Sequence, residues 1–119
     1  MTVITLPFPP SLNGLFSNRS GGRNKTARYS RWLADAASAL SQQRVEPIKG
    51  SRCIVRMFLT PPTEAERDAD NYLKAPIDFL VSAGVLEGDS RRFVKGVSST
   101  WTDAPPKKPG ALRIELEAA

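Results

Sequence analysis

Apolar and polar residues alternate over residues 2–6, with Ile4 and Leu6 on one side, until Pro7, Pro9 and Pro10 end the run. This pattern predicts a short first strand entering an irregular segment. Residues 11–25 are rich in Ser, Asn, Gly and Arg, with Gly21-Gly22 at their centre, and predict a long basic loop. Between residues 28 and 44 the apolar positions Tyr29, Trp32, Leu33, Ala36, Ala37 and Leu40 fall on one helical face, with Pro47 beyond the end. Period-two alternation returns over residues 52–60, with Cys53, Val55, Met57 and Leu59 on one face and Pro61-Pro62 closing the strand.

A second helical pattern, Leu73, Ile77, Leu80 and Val81, ends at Gly84. Pro76 would cost about 3 kcal/mol in a helix interior. The regular helix should therefore begin near Lys74 or Ala75, leaving residues 70–73 as a tight lead-in turn. Residues 93–101 and 111–117 read as strands, the latter placing Leu112, Ile114 and Leu116 opposite Arg113, Glu115 and Glu117. Residues 103–110 are expected to join them as a hairpin connection. The order strand, helix, strand, helix, strand, strand predicts the α/β (α+β) class: a small mixed β-sheet packed with two helices in one domain over residues 1–119.

Composition narrows the chemistry. The chain has 119 residues, 40% hydrophobic and 24% charged, ordinary values for one globular domain. No apolar run is long enough to span a membrane and the first residues lack a signal-peptide pattern, so a cytoplasmic protein with no membrane partner is expected. Cys53 is alone in an apolar run and is expected to be a buried thiol. Histidine is absent, which removes the commonest general base and the commonest zinc ligand. Acid–base work must then fall to carboxylates, lysine or a metal-activated water. The net charge of +5 is concentrated between residues 19 and 56, where nine Arg and Lys face only Asp35 and Glu46. Such a surface suits phosphates or is simply a solvated basic face.

One stretch offers a catalytic set: Arg67-Asp68-Ala69-Asp70-Asn71-Tyr72-Leu73-Lys74, followed by Gly88-Asp89. Asp68 and Asp70 are two apart, so in an extended or turning segment both carboxylates can reach one side, and Lys74 lies one helical turn beyond Asp70. Two unit charges about 4 Å apart repel by around 4 kcal/mol at an effective dielectric of 20. Asp68, Asp70 and Asp89, if they converge, therefore need a cation, and Mg2+ (or Mn2+) is the hard ion that carboxylates suit. A metal so held would polarise a phosphodiester and activate water, with Lys74 orienting that water or stabilising charge on phosphorus. On spacing alone, the acids also read as cap and turn residues and Lys74 as a solvated side chain.

These residues carry a resemblance. The run from Asp68 to Lys74, Ala83-Gly84-Val85, Asp89-Ser90 and the opening Leu6-Pro7-Phe8-Pro9-Pro10-Ser11-Leu12-Asn13 resemble the RusA family of Holliday-junction resolvases over nearly the whole chain. The resemblance implies a magnesium-dependent endodeoxyribonuclease, homodimeric, that binds four-way junction DNA and makes paired symmetric nicks in recombination and repair. Members are frequent in bacteria and their prophages. It maps catalytic and metal-binding acids onto Asp68, Asp70 and Asp89 and a catalytic lysine onto Lys74. Family members often carry two adjacent acids where this chain has Gly88-Asp89, so Glu87 is a candidate substitute. Arg19, Arg23, Lys25, Arg28 and Arg31 are the expected phosphate contacts. The rival reading is a catalytically inactive basic DNA- or RNA-binding protein.

Overall fold

Residues 53–60 alternate strictly between buried and half-buried positions, and they form the strand around which the fold is assembled. The structure, a computed structural model, describes residues 1–19 and 21–119; Ser20 and the Arg19 side chain lie outside the described residues. The elements in order are β1 (Thr2–Leu6), a 3₁₀ turn (Leu12–Gly14), β2 (Phe16–Arg19), β3 (Gly22–Lys25) and α1 (Ala27–Ser41). They continue with β4 (Cys53–Thr60), a second 3₁₀ turn (Ala69–Tyr72), α2 (Lys74–Ser82), β5 (Val94–Trp101) and β6 (Ala111–Ala118). The main sheet has the order β1-β6-β4-β5. β6 runs antiparallel to both β1 and β4, whereas β5 runs parallel to β4. The mixed sheet with two helices is the architecture expected from the element order.

Two expectations are corrected. The segment 103–110 does not close a β5–β6 hairpin, because β4 lies between those strands. β6 instead inserts between β1 and β4, where Leu112, Ile114 and Leu116 are all buried. The segment 11–25 is not an open loop: β2 and β3 form an antiparallel hairpin with Phe16 opposite Lys25 and Asn18 opposite Arg23. Gly21 and Gly22 at its turn take φ of +98° and +112°, a region L side chains rarely adopt.

The core face of the sheet is Ile4, Leu6, Cys53, Val55, Met57, Leu59 and the three apolar residues of β6. α1 lays Tyr29, Trp32 and Ala36 onto it, and α2 adds Ala75, Phe79 and Leu80. Trp32 and Phe79 meet edge to face at 5.7 Å, so the two helices share one aromatic contact. Thr26 caps α1 by accepting the Tyr29 N–H, while its own hydroxyl donates to the Gly14 carbonyl at 2.6 Å. That second bond ties the helix start to the turn before the hairpin. The other face of β4 is covered by charge rather than by a layer: Arg56 pairs with Glu117, and the Arg113 guanidinium lies 4.6 Å from the Phe58 ring centre.

Candidate active site

The acidic stretch lies where β4 crosses over to α2. After Thr60 the chain loops through Pro61-Pro62 to Asp68, which precedes the 3₁₀ turn in an extended conformation (φ −96°, ψ 127°). Its carbonyl accepts the Asn71 N–H at 3.1 Å. The turn is pinned to the sheet because the Ser99 hydroxyl of β5 donates to the Ala69 carbonyl at 2.9 Å. Asp70 is exposed inside the turn, while Tyr72, two residues on, is buried. Lys74 opens α2, which starts where Pro76 allows: the proline sits in the first turn, where its missing N–H costs no helical bond.

Lys74 is not alone. Its Nζ is 2.8 Å from Asp78 Oδ2, one helical turn later. The Lys74 pKa is raised, first by its hydrogen bond to Asp78 and then by the charges of Asp78, Tyr29 and Asp89, with burial opposing. Asp89 therefore acts on the Lys74 ammonium from the loop between α2 and β5. Tyr29, buried at the start of α1, also has a raised pKa, through burial first and then the Asp78 charge, with Lys74 opposing. Lys74, Asp78, Asp89 and Tyr29 thus form one electrostatic neighbourhood. Neither Asp68 nor Asp70 is among the groups that shift Lys74.

The ion pairs among the described residues are Arg56–Glu117, Lys74–Asp78 and Arg113–Glu115, and none involves Asp68, Asp70 or Asp89. All three are exposed. Asp68 lines an open polar cleft of about 560 Å³ with Ser11, Glu66, Arg67, Asn71 and Tyr72. Among the described residues, no group of three or more acidic or cysteine side chains is arranged as a metal cage. Asp68 and Asp70, on one short segment, still match the small carboxylate set that magnesium uses when phosphate and water complete its shell.

The opening proline-rich segment reaches the same place. Phe8 packs 5.1 Å from Tyr72 and stacks at 6.3 Å on Trp101, the last residue of β5. The hairpin is attached through Phe16, which meets Tyr29 edge to face at 5.7 Å and carries the Arg23 guanidinium 4.0 Å above its ring. Arg23 is thereby held on the same side of the molecule as Tyr29 and its neighbours. Lys25 is exposed on β3, and Arg28 and Arg31 flank a cleft that also contains Pro7, Phe8 and Trp32. Arg19 was expected among these basic contacts, and its side chain lies outside the described residues.

A sequence profile of the endodeoxyribonuclease RusA family matches residues 7–116. The chain belongs to this family. The crossover junction endodeoxyribonuclease rusA of Enterobacteria phage HK97 is 29% identical to it over 117 residues, covering 95% of this chain and 93% of that relative. The RusA match spans Asp68, Asp70, Lys74 and Asp89 together. No helix among the described residues is long and apolar enough to cross a membrane.

Gly88 is closely packed. A Cβ there would lie 2.6 Å from Phe93 Cδ2, so any side chain must displace that ring. Glu87 is engaged elsewhere: its Oε1 accepts the Gly50 N–H at 3.0 Å, which holds the turn before β4. Sequence reasoning missed Asp78, Glu66 and Tyr29. Asp78 was signalled by its four-residue spacing from Lys74, whereas Tyr29 belongs by its periodicity to the core face of α1 and carried no signal.

Proposed function

We propose that this chain is a magnesium-dependent, structure-selective endonuclease that resolves four-way DNA junctions by paired nicks. The observation that carries the reading is the RusA match across residues 7–116, which includes the one acid–lysine set of a chain without histidine. Asp68 and Asp70 would hold the metal, with Asp89 contributing from the loop before β5. Magnesium, when bound, supplies a Lewis acid for the scissile phosphate and lowers the pKa of water.

The remaining work belongs to the protein. Lys74, fixed by Asp78, places a cation where charge develops on phosphorus. Arg23 and Lys25 of the hairpin and Arg28 and Arg31 of α1 contact phosphates and set the register of the DNA without reading bases, so selection of a junction comes from shape. Paired symmetric nicks require two active sites related by a twofold axis, which makes the working unit a homodimer.

The test is nicking of a synthetic four-way junction with and without magnesium. Cutting should require the metal and disappear in Asp70→Asn, while that variant still binds the junction, since loss of a carboxylate reduces repulsion of phosphate. Unaltered protein that binds junctions but never cuts them would make it a basic DNA-binding protein instead.

A further inference from the structure

We propose that the cleft between the β4–α2 loop and the end of β5 receives an unstacked nucleobase of the DNA substrate, with Trp101 as the stacking surface. This rests on the nucleic-acid reading above and adds a subsite to it. The cleft is about 320 Å³, and Pro61, Glu64, Arg67, Trp101 and Pro106 are among its walls. It is thus bounded by an indole, two prolines and one charge of each sign.

Both walls are fixed before any ligand arrives. On one side the Arg67 guanidinium folds the loop around itself, donating to the Thr63 and Ala65 carbonyls at 3.0 and 3.1 Å and to the Thr63 hydroxyl at 2.9 Å. On the other, the Lys107 N–H donates to the Pro61 carbonyl at 3.0 Å and the Thr102 N–H to the Leu59 carbonyl at 2.8 Å. Trp101 is braced by the parallel Phe8 ring and by Tyr72, whose ring meets it edge-on at 5.8 Å. A rigid aromatic surface loses little entropy on binding, which favours a flat ligand.

Position selects the occupant. Arg67 lines both this cleft and the polar cleft that contains Asp68, so the two adjoin at one residue, itself next in sequence to Asp68. Tyr72 in the Asp68 cleft is buried, so Trp101 is the partly exposed ring beside Arg67 that a base next to a phosphate held near Asp68 can reach. Bases at a branch point have lost part of their stacking, so turning one out costs less there than in continuous duplex. The Arg67 guanidinium and the Glu64 carboxylate offer a donor and an acceptor to the base edge. Stacking accepts any base, so the subsite rewards an unpaired nucleotide more than a particular sequence.

The experiment is an abasic scan of a four-way junction, with dissociation constants measured for the full-length Asp70→Asn protein so that bound DNA is not cut. Removing one base near the scissile phosphate should weaken binding about tenfold. Trp101→Leu should weaken binding of the intact junction by a similar factor and add little on that abasic junction. Trp101→Phe keeps a ring against Phe8 and Tyr72 and repeats the cycle at smaller amplitude if the leucine variant fails to fold. Additive losses, or a scan with no sensitive position, overturn the proposal. So does a shift in oligomeric state of Trp101→Leu without DNA and a flat scan, which would make the cleft a contact between two copies of the chain. Failure of the unaltered protein to nick any junction refutes the functional reading instead, and is scored separately.

Discussion

Asp78→Asn tests whether Asp78 holds the proposed catalytic lysine, Lys74, or only the fold. Asp78 lies 2.8 Å from Lys74 Nζ, and the two side chains are 35% and 45% exposed. A half-exposed pair one helical turn apart stabilises a helix by about 0.3–0.5 kcal/mol. The variant should therefore lose roughly 2 °C in Tm. The effect on turnover has a different scale, because an amide keeps the shape of the carboxylate but not its charge, and the lysine arm is free to take other rotamers. Misplacing a catalytic group by about 1 Å can cost on the order of a hundredfold in rate. We expect single-turnover nicking of a junction in magnesium to fall tenfold to a hundredfold.

Three further readings discriminate. Junction affinity should stay within about twofold, since Asp78 is not among the proposed phosphate contacts. Asp78→Glu, which keeps a charge within reach of the ammonium, should recover part of the rate. The Lys74 pKa is raised chiefly through its hydrogen bond to Asp78, so a metal-free NMR titration of the lysine side chains should find it lower in Asp78→Asn. Unchanged nicking despite the lowered pKa would remove Asp78 from the mechanism. A rate loss matched by lost binding or by a Tm fall beyond about 10 °C would make its role structural.

Lys74→Ala should leave folding and junction binding nearly intact while nicking drops by orders of magnitude; ordinary turnover in that variant removes Lys74 from the chemistry. Gly88→Asp adds the second acid that the resemblance implies but drives a Cβ into the Phe93 ring, so a loss of about 1–3 kcal/mol is expected in urea melts. That loss should shrink when Phe93 is also replaced by alanine, and simple additivity of the two changes would rule out the clash. Stability should decline on the alkaline side. Cys53 and Tyr29 are raised mainly by burial, and Lys74 mainly by its hydrogen bond to Asp78. Each holds its proton more tightly folded than unfolded. Their contribution is complete below the unfolded pKa values, about 8.5, 10 and 10.4, and is lost as pH rises through the folded ones. Denaturation midpoints should begin to fall above about pH 8.5, with Cys53→Ala delaying the onset to near pH 10; a midpoint constant to pH 10.5 contradicts this.

The parts of the fold legible in the chain are those whose partner is implied by one face. β4 and β6 announce their buried sides by strict alternation, and α1 and α2 by a 3.6-residue period, so their existence follows from local pattern. Pairing does not. The buried side of β6 is written in Leu112, Ile114 and Leu116, but nothing in those residues says that β1 and β4 rather than β5 stand beside it. The short connection from β5 favoured a hairpin, and the parallel β4–β5 pair overrode it. The hairpin of β2 and β3 was hidden for the opposite reason: apart from Phe16 its residues are polar, so no alternation marks it and only Gly21-Gly22 signals the turn.

The site divides along the same line. Asp68, Asp70 and Lys74 are legible as one local run because a short turn places them, and Asp78 could have been added by counting four residues from Lys74. Asp89 enters through the electrostatics of Lys74, which depends on how far α2 carries the chain before it returns to the sheet. Trp101 and Phe8 come from opposite ends of the sequence and meet only because β5 ends beside the opening segment. Gly110 marks how tightly that end is closed: its φ is +84°, and a Cβ there would lie 2.9 Å from both Phe8 Cβ and the Thr60 carbonyl oxygen. A base-binding surface built this way leaves no motif, since each of its residues taken alone reads as core or loop. The register of β5 against β4 sets Trp101 opposite Leu59, where β4 runs on into the loop that carries Arg67 and Asp68.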